Sequence, residues 1–195
     1  MVSSSEIEKE IKQMEQDVAN CRRCGLWETR NNPVAGEGPV TAKVMFIGEA
    51  PGYNEDIQGR PFVGKAGKIF DELLRSVGLE RKDVYIANIL KCRPPKNRDP
   101  LGEEIKACTP YLDKQITCIQ LSVIGTLGNF ASSYVLEKFG FQAEKIGKIH
   151  GKIFRIKNLL FDARIVPLYH PAAAVYNPNM KDVLMQDFKS ITKAL

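Results

Sequence analysis

Val44-Met45-Phe46-Ile47-Gly48-Glu49-Ala50-Pro51-Gly52 runs from an unbroken apolar tetrad into a glycine-bracketed loop. A short apolar run that stops at a turn reads as a strand covered on both faces, as in a parallel sheet. The same pattern recurs at Val84-Tyr85-Ile86-Ala87, at Leu121-Ser122-Val123-Ile124 and at Ile165-Val166-Pro167-Leu168. Helical spacing fills the intervals, from about Ala66 to Val77, from near Pro100, from about Phe130 to Phe139, and finally from about Lys181 to Lys193. Upstream, Ile7, Ile11, Met14 and Val18 share one helix face, and Ser5 with Glu8 reads as its capping box. Residues 149–161 read as a small hairpin or an extra strand. Strands alternating with helices predict an α/β fold, a three-layer α/β/α sandwich around a mainly parallel four-stranded sheet. No repeat or linker interrupts 1–195, so a single domain is expected.

Such sheets bind ligands outside the carboxyl ends of their strands. Glu49 follows strand one, Asn88 ends strand two, Gly125 is expected to end strand three, and His170 follows strand four. The polar candidates therefore share one rim. Gly48 and Gly52 let the backbone approach a ligand closely, while Glu55, Asp56 and Phe62 follow within the next turns. Phe62 reads either as a core ring or as a surface on which a base stacks. Asn88 reads either as a cap on loop backbone or as a carboxamide that reads a polar ring edge. Of the two histidines, His170 stands at a strand end in Tyr169-His170-Pro171-Ala172-Ala173-Ala174, and His150 reads as a turn residue.

Composition narrows the classes. With 44% hydrophobic and 26% charged residues the chain resembles an ordinary soluble domain. No segment approaches the roughly 18–20 apolar residues of a membrane span. The Ser3–Ser5 start lacks a signal-peptide core, so a cytoplasmic, membrane-free protein is expected. A net charge of +5 suits a polyanion without requiring one. Cys21 and Cys24 form a C-x-x-C pair, with Cys92 and Cys108 able to complete a four-thiolate site. Spacing alone leaves zinc and a 4Fe-4S cluster open. Cys118 has no partner at metal spacing and reads as a core residue.

Taken together, the Gly48–Gly52 loop with Glu55-Asp56, the Gly59-Arg60-Pro61-Phe62-Val63-Gly64 segment, the run from Asn88 to Pro100, the cysteine spacing and His170-Pro171-Ala172-Ala173 closely resemble the family 4 uracil-DNA glycosylases. The resemblance spans Cys21 to the last helix. It implies a 4Fe-4S cluster on Cys21, Cys24, Cys92 and Cys108, and uracil-containing DNA as substrate with free uracil as product. It further implies that Phe62 stacks on a flipped uracil and Asn88 reads its edge. Glu55 would crowd the C5 position against thymine, and the backbone of Glu49, Ala50, Pro51 and Gly52 would contact the ring. His170 would donate to uracil O2 as negative charge develops there. Lys91, Arg93, Lys96 and Arg98 would grip phosphates.

Two departures from related patterns matter. Ala50 stands where family 1 enzymes carry a water-activating aspartate, which leaves Glu49 as the nearest carboxylate and Glu55 as its rival. After His170-Pro171-Ala172-Ala173, many relatives carry Leu-Leu-Arg as a wedge, whereas this chain has Ala174-Val175-Tyr176, so Val175 and Tyr176 take that place. The carboxylate at Glu49 distinguishes the chain from family 5 patterns. A monomer is expected, and neither terminus carries a clear sliding-clamp box. Two other classes remain. A non-catalytic nucleic-acid-binding module stapled by a metal or iron–sulfur centre needs neither Glu49 nor Asn88. A phosphate-binding enzyme on the Gly48 loop conflicts with Glu49 and Glu55, and no P-loop lysine follows.

Overall fold

The computed structural model describes residues 3–158 and 162–195. Its centre is a five-stranded sheet in the order β2-β1-β3-β5-β4. Strand β1 (Val44–Gly48) lies between β2 (Val84–Asn88) and β3 (Val123–Leu127), and β5 (Asp162–Leu168) pairs with β3, all in parallel. The fifth strand, β4 (Phe154–Lys157), adds antiparallel to the β5 edge. It realises the extra strand read at 149–161, while residues 159–161 lie outside the described residues. The sheet is thus one strand wider than the expected four.

Helices cover both faces. On one side α1 (Ser4–Ala19), α4 (Gly102–Cys118) and α5 (Asn129–Lys138) bury Met14, Leu112, Ile116 and Val135 against the sheet. On the other, α3 (Lys65–Ser76) and α8 (Met180–Ala194) bury Phe70, Leu73, Phe188 and Ile191. Phe46 of β1 stacks on Phe188 at 5.5 Å and meets Phe70 edge-on at 5.1 Å, which joins this layer around three aromatic rings. Among the described residues no helix is long and apolar enough to cross a membrane.

Three local expectations shift. The capping box of α1 uses Ser3 and Glu6 rather than Ser5 and Glu8. Both pairs fit the motif, and the earlier one lets the helix begin at Ser4 with its first amides satisfied. Pro100 lies just outside α4, whose first turn is closed instead by the Glu104 carboxylate accepting from the Leu101 amide at 2.9 Å. Gly125 does not end β3 but sits within it, opposite Phe46. A Cβ at Gly125 would stand 2.7 Å from the Phe46 ring, so the bare glycine makes room for that ring in the layer below α8.

The chain leaves β1 for β2 on one side and then returns to β3 on the other. This reversal opens a crevice at the carboxyl ends of the central strands, the usual ligand position in such sheets. Short helices α2 (Tyr53–Gln58) and α7 (Ala172–Tyr176) frame it, while α6 (Ile146–Ile149) lies before β4.

Candidate active site

A cavity of about 400 Å³ opens at this crevice, within the usual range for small-ligand sites. Glu49, Ala50, Pro51, Gly52, Glu55, Phe62, Asn88 and His170 all line it. Residues from three separate strand ends thus converge, because β1, β2 and β5 deliver their loops to the same edge.

Asn88 is buried at the end of β2, and its Oδ1 has no hydrogen-bond partner. A buried acceptor left unpaired costs about 1–3 kcal/mol, so a ligand N–H supplied there would be strongly selected. Gly48 makes the space. A Cβ there would lie 2.3 Å from Asn88 Oδ1 and 2.9 Å from the Phe62 ring. Phe62 itself is held at φ 53, a left-handed conformation unusual for a bulky residue. Its ring lies 4.9 Å from that of Phe70 and stacks 5.6 Å from the imidazole of His170.

His170 has its tautomer set by its neighbours. Its Nδ1 accepts from the Ala172 amide at 3.1 Å, which leaves the proton on Nε2 as a donor. Enclosure by the pocket walls lowers its pKa to about 4, against a smaller opposing pull from the Glu55 charge. The ring is therefore a neutral donor at neutral pH. Glu49 has its pKa raised above the ordinary carboxylate range, chiefly by burial and further by the charge of Asp99. Glu55 is already engaged, since its Oε1 accepts from the Val63 and Gly64 amides at 2.8 Å each. Asp56, next in sequence, is buried and accepts from the Asn31 amide at 2.9 Å, tying the segment after Cys24 to α2.

The basic residues divide. Lys91 is not at the surface. Its Nζ donates to the Asn88 carbonyl at 2.9 Å and to Gln115 Oε1 at 2.7 Å, and burial lowers its pKa to about 8. The expected phosphate contact by Lys91 is therefore corrected, because an ammonium enclosed in the core cannot reach a backbone phosphate. Lys96 is exposed. Arg93 lies 5.1 Å over the Tyr53 ring and donates to Asn97 Oδ1 at 2.6 Å. Arg98 lines the cavity and forms a two-pronged pair with Glu104 at 2.9 and 2.6 Å. Val175 and Tyr176 also line the cavity mouth, where Tyr176 is 88% exposed.

Cys21, Cys24, Cys92 and Cys108 all line a second, smaller pocket beside α1 and α4. Among the described residues no group of three or more His, Cys, Asp and Glu side chains is arranged to hold a metal ion. A 4Fe-4S cluster takes one thiolate on each of its iron atoms. The pocket also offers donors to sulfur. Arg30 donates to Cys92 Sγ at 3.1 Å, and the Lys91 amide donates to Cys108 Sγ at 3.2 Å. Soft thiolate ligands with N–H donors around them suit an iron–sulfur group. Cys118, expected in the core, packs against it while remaining half-buried. It ends α4, and its thiol donates to Glu10 Oε2 at 3.2 Å across to α1. His150 caps α6 and pairs with Asp187 of α8 at 2.8 Å.

The fold and cavity define an α/β/α protein with a small-ligand pocket of mixed apolar and polar lining at its strand ends. The family model described as the uracil DNA glycosylase superfamily matches residues 35–192. A type-4 uracil-DNA glycosylase of Sulfurisphaera tokodaii is 47% identical over 182 residues, covering 93% of this chain and 83% of that protein. That of Saccharolobus solfataricus is 49% identical over 92% of this chain and 83% of its own length. A type-5 uracil-DNA glycosylase of Pyrobaculum aerophilum is more distant, 30% identical over 77% of this chain and 70% of its own length. The chain belongs to the uracil-DNA glycosylase superfamily, in its type-4 branch.

Proposed function

We propose that this chain hydrolyses the N-glycosidic bond of uracil in DNA, releasing free uracil and leaving an abasic site. The observation that carries this reading is the unpaired, buried Oδ1 of Asn88 in the cavity. Uracil presents an N–H to that oxygen, beside a carbonyl that the carboxamide N–H can reach. Cytosine presents a ring acceptor instead, which leaves both partners unsatisfied at about 1–3 kcal/mol each.

The reaction separates charge. As the bond stretches, the sugar becomes positive and uracil O2 negative. His170, neutral and with its proton on Nε2, donates to that oxygen as the charge develops. Glu49 orients and deprotonates the water that attacks C1′, the role left open by Ala50. Glu55 positions the Phe62 segment and crowds the ring at C5. Phe62 stacks on the base. The backbone of Glu49 to Gly52 contacts the ring edge, and Val175 with Tyr176 fills the vacated stack. Lys96 and Arg93 contact phosphate, joined by Arg98 once it is shared with Glu104.

Cys21, Cys24, Cys92 and Cys108 would hold a 4Fe-4S cluster. The cluster would act as a structural staple between the segment before α2 and the loop after β2. The whole of 1–195 works as one unit, a monomer on uracil-containing DNA. The test is a set of matched oligonucleotides carrying uracil, cytosine or thymine at one position. Alkali-labile abasic sites should appear only with uracil, and none with any of the three would refute the reading.

A further inference from the structure

Phe62 is the only aromatic ring among the described residues with a positive φ, and its peptide is held at both ends. On the far side from the cavity, the Arg81 guanidinium donates to the Pro61 carbonyl at 3.0 Å and also to the Phe62 carbonyl. Arg81 is braced by Asp71 of α3, its Nε lying 2.7 Å from Oδ1. On the near side, Glu55 takes the amides of Val63 and Gly64. Gly67 completes the fit, because a Cβ there would overlap the Phe62 carbonyl at 1.9 Å. A left-handed conformation at a bulky residue persists only when its surroundings enforce it.

We infer that Arg81 is a positioning residue for base recognition: with Glu55 it clamps the Phe62 peptide so that the ring stands ready to stack on uracil. The inference rests on the proposed reading of the pocket. Arg81 touches neither the cavity nor the reacting atoms and acts through Phe62. Stacking holds the base equally in ground and transition states, so its loss raises KM and leaves kcat nearly unchanged.

The experiment compares wild type, Arg81→Met, Phe62→Leu and the double variant on a uracil oligonucleotide, with free uracil as competitive inhibitor. Arg81→Met is expected to raise KM and the uracil inhibition constant by about tenfold, the scale of one lost charged hydrogen bond. Its kcat should stay within about twofold, and its effect should vanish in the Phe62→Leu background. A folded Arg81→Met protein with wild-type KM and inhibition, or an equal effect in both backgrounds, overturns the inference. If Arg81→Met does not fold, Asp71→Ala serves instead. It leaves the guanidinium in place without its brace and should raise KM in the same direction by a smaller factor; an unchanged KM there also overturns the clamp. Wild-type protein that releases no uracil refutes the pocket reading itself, whereas active wild type with an insensitive Arg81 refutes only the clamp.

Discussion

Asn88 keeps a buried oxygen without a partner because Gly48 leaves room beside it for a ligand rather than a side chain. Gly48→Ala would place a methyl 2.3 Å from that oxygen and against Phe62. We expect it to slow uracil release by about a hundredfold, equivalent to about 2.8 kcal/mol, while circular dichroism stays native. Asn88→Asp should shift selectivity towards cytosine, since a protonated carboxyl can donate where the amide accepts; unchanged base preference would remove Asn88 from recognition. Titration gives a further outcome. The pKa of His170, lowered to about 4, lies below that of the unfolded chain, which therefore binds more protons between about pH 4 and 6.5. Its contribution to stability is complete above about 6.5 and is lost as pH falls through that window, so Tm should drop there and drop less in His170→Asn. Activity from about pH 5 to 8 should not follow His170 at all; an acid limb set by Glu49, above the ordinary carboxylate range, should flatten in Glu49→Gln. Glu49, Asn88 and His170 were legible in sequence because each ends or closely follows a strand, whereas Glu55 lies within α2 and Phe62 in the turn after it. The fate of Lys91 was not legible, because burial of a lysine depends on Gln115 and Asn88 meeting it across the fold.

At the scale of elements, strands β1, β2 and β5 were legible as apolar runs, whereas β3 was placed too early and ends at Leu127. The cause is Gly125, which reads as a terminator until the Phe46 ring opposite it is known. Gly125→Ala should therefore cost about 1–3 kcal/mol through overpacking. In a chain of this size each kcal/mol lowers Tm by roughly 2–4 °C, and an unchanged Tm would mean the Phe46 ring has other space. The short helices α2 and α7 are too brief to show a helical period in the sequence. Both nonetheless frame the cavity, and α7 brings Tyr176 to its mouth.

The whole molecule divides its chemistry between two pockets on either side of the loop after β2. Asn88 ends β2 at one, and Cys92 lines the other a few residues later, with the buried Lys91 side chain between them. On the proposed reading, purified protein contains iron and acid-labile sulfide in equal amounts and has a brown colour. Cys108→Ser should lose both and unfold at lower temperature; iron-free, zinc-containing wild type would contradict the cluster. The overall α/β/α order was legible because the alternation of periods is local, but the antiparallel β4 edge depends on pairing with β5. The most direct measurement is single-turnover uracil release from a uracil oligonucleotide by wild type, Glu49→Gln and His170→Ala at saturating protein. The account predicts prompt abasic-site formation by wild type and slowing by about a hundredfold in each variant, with DNA affinity nearly unchanged. No release by wild type, or equal rates in all three, would contradict it.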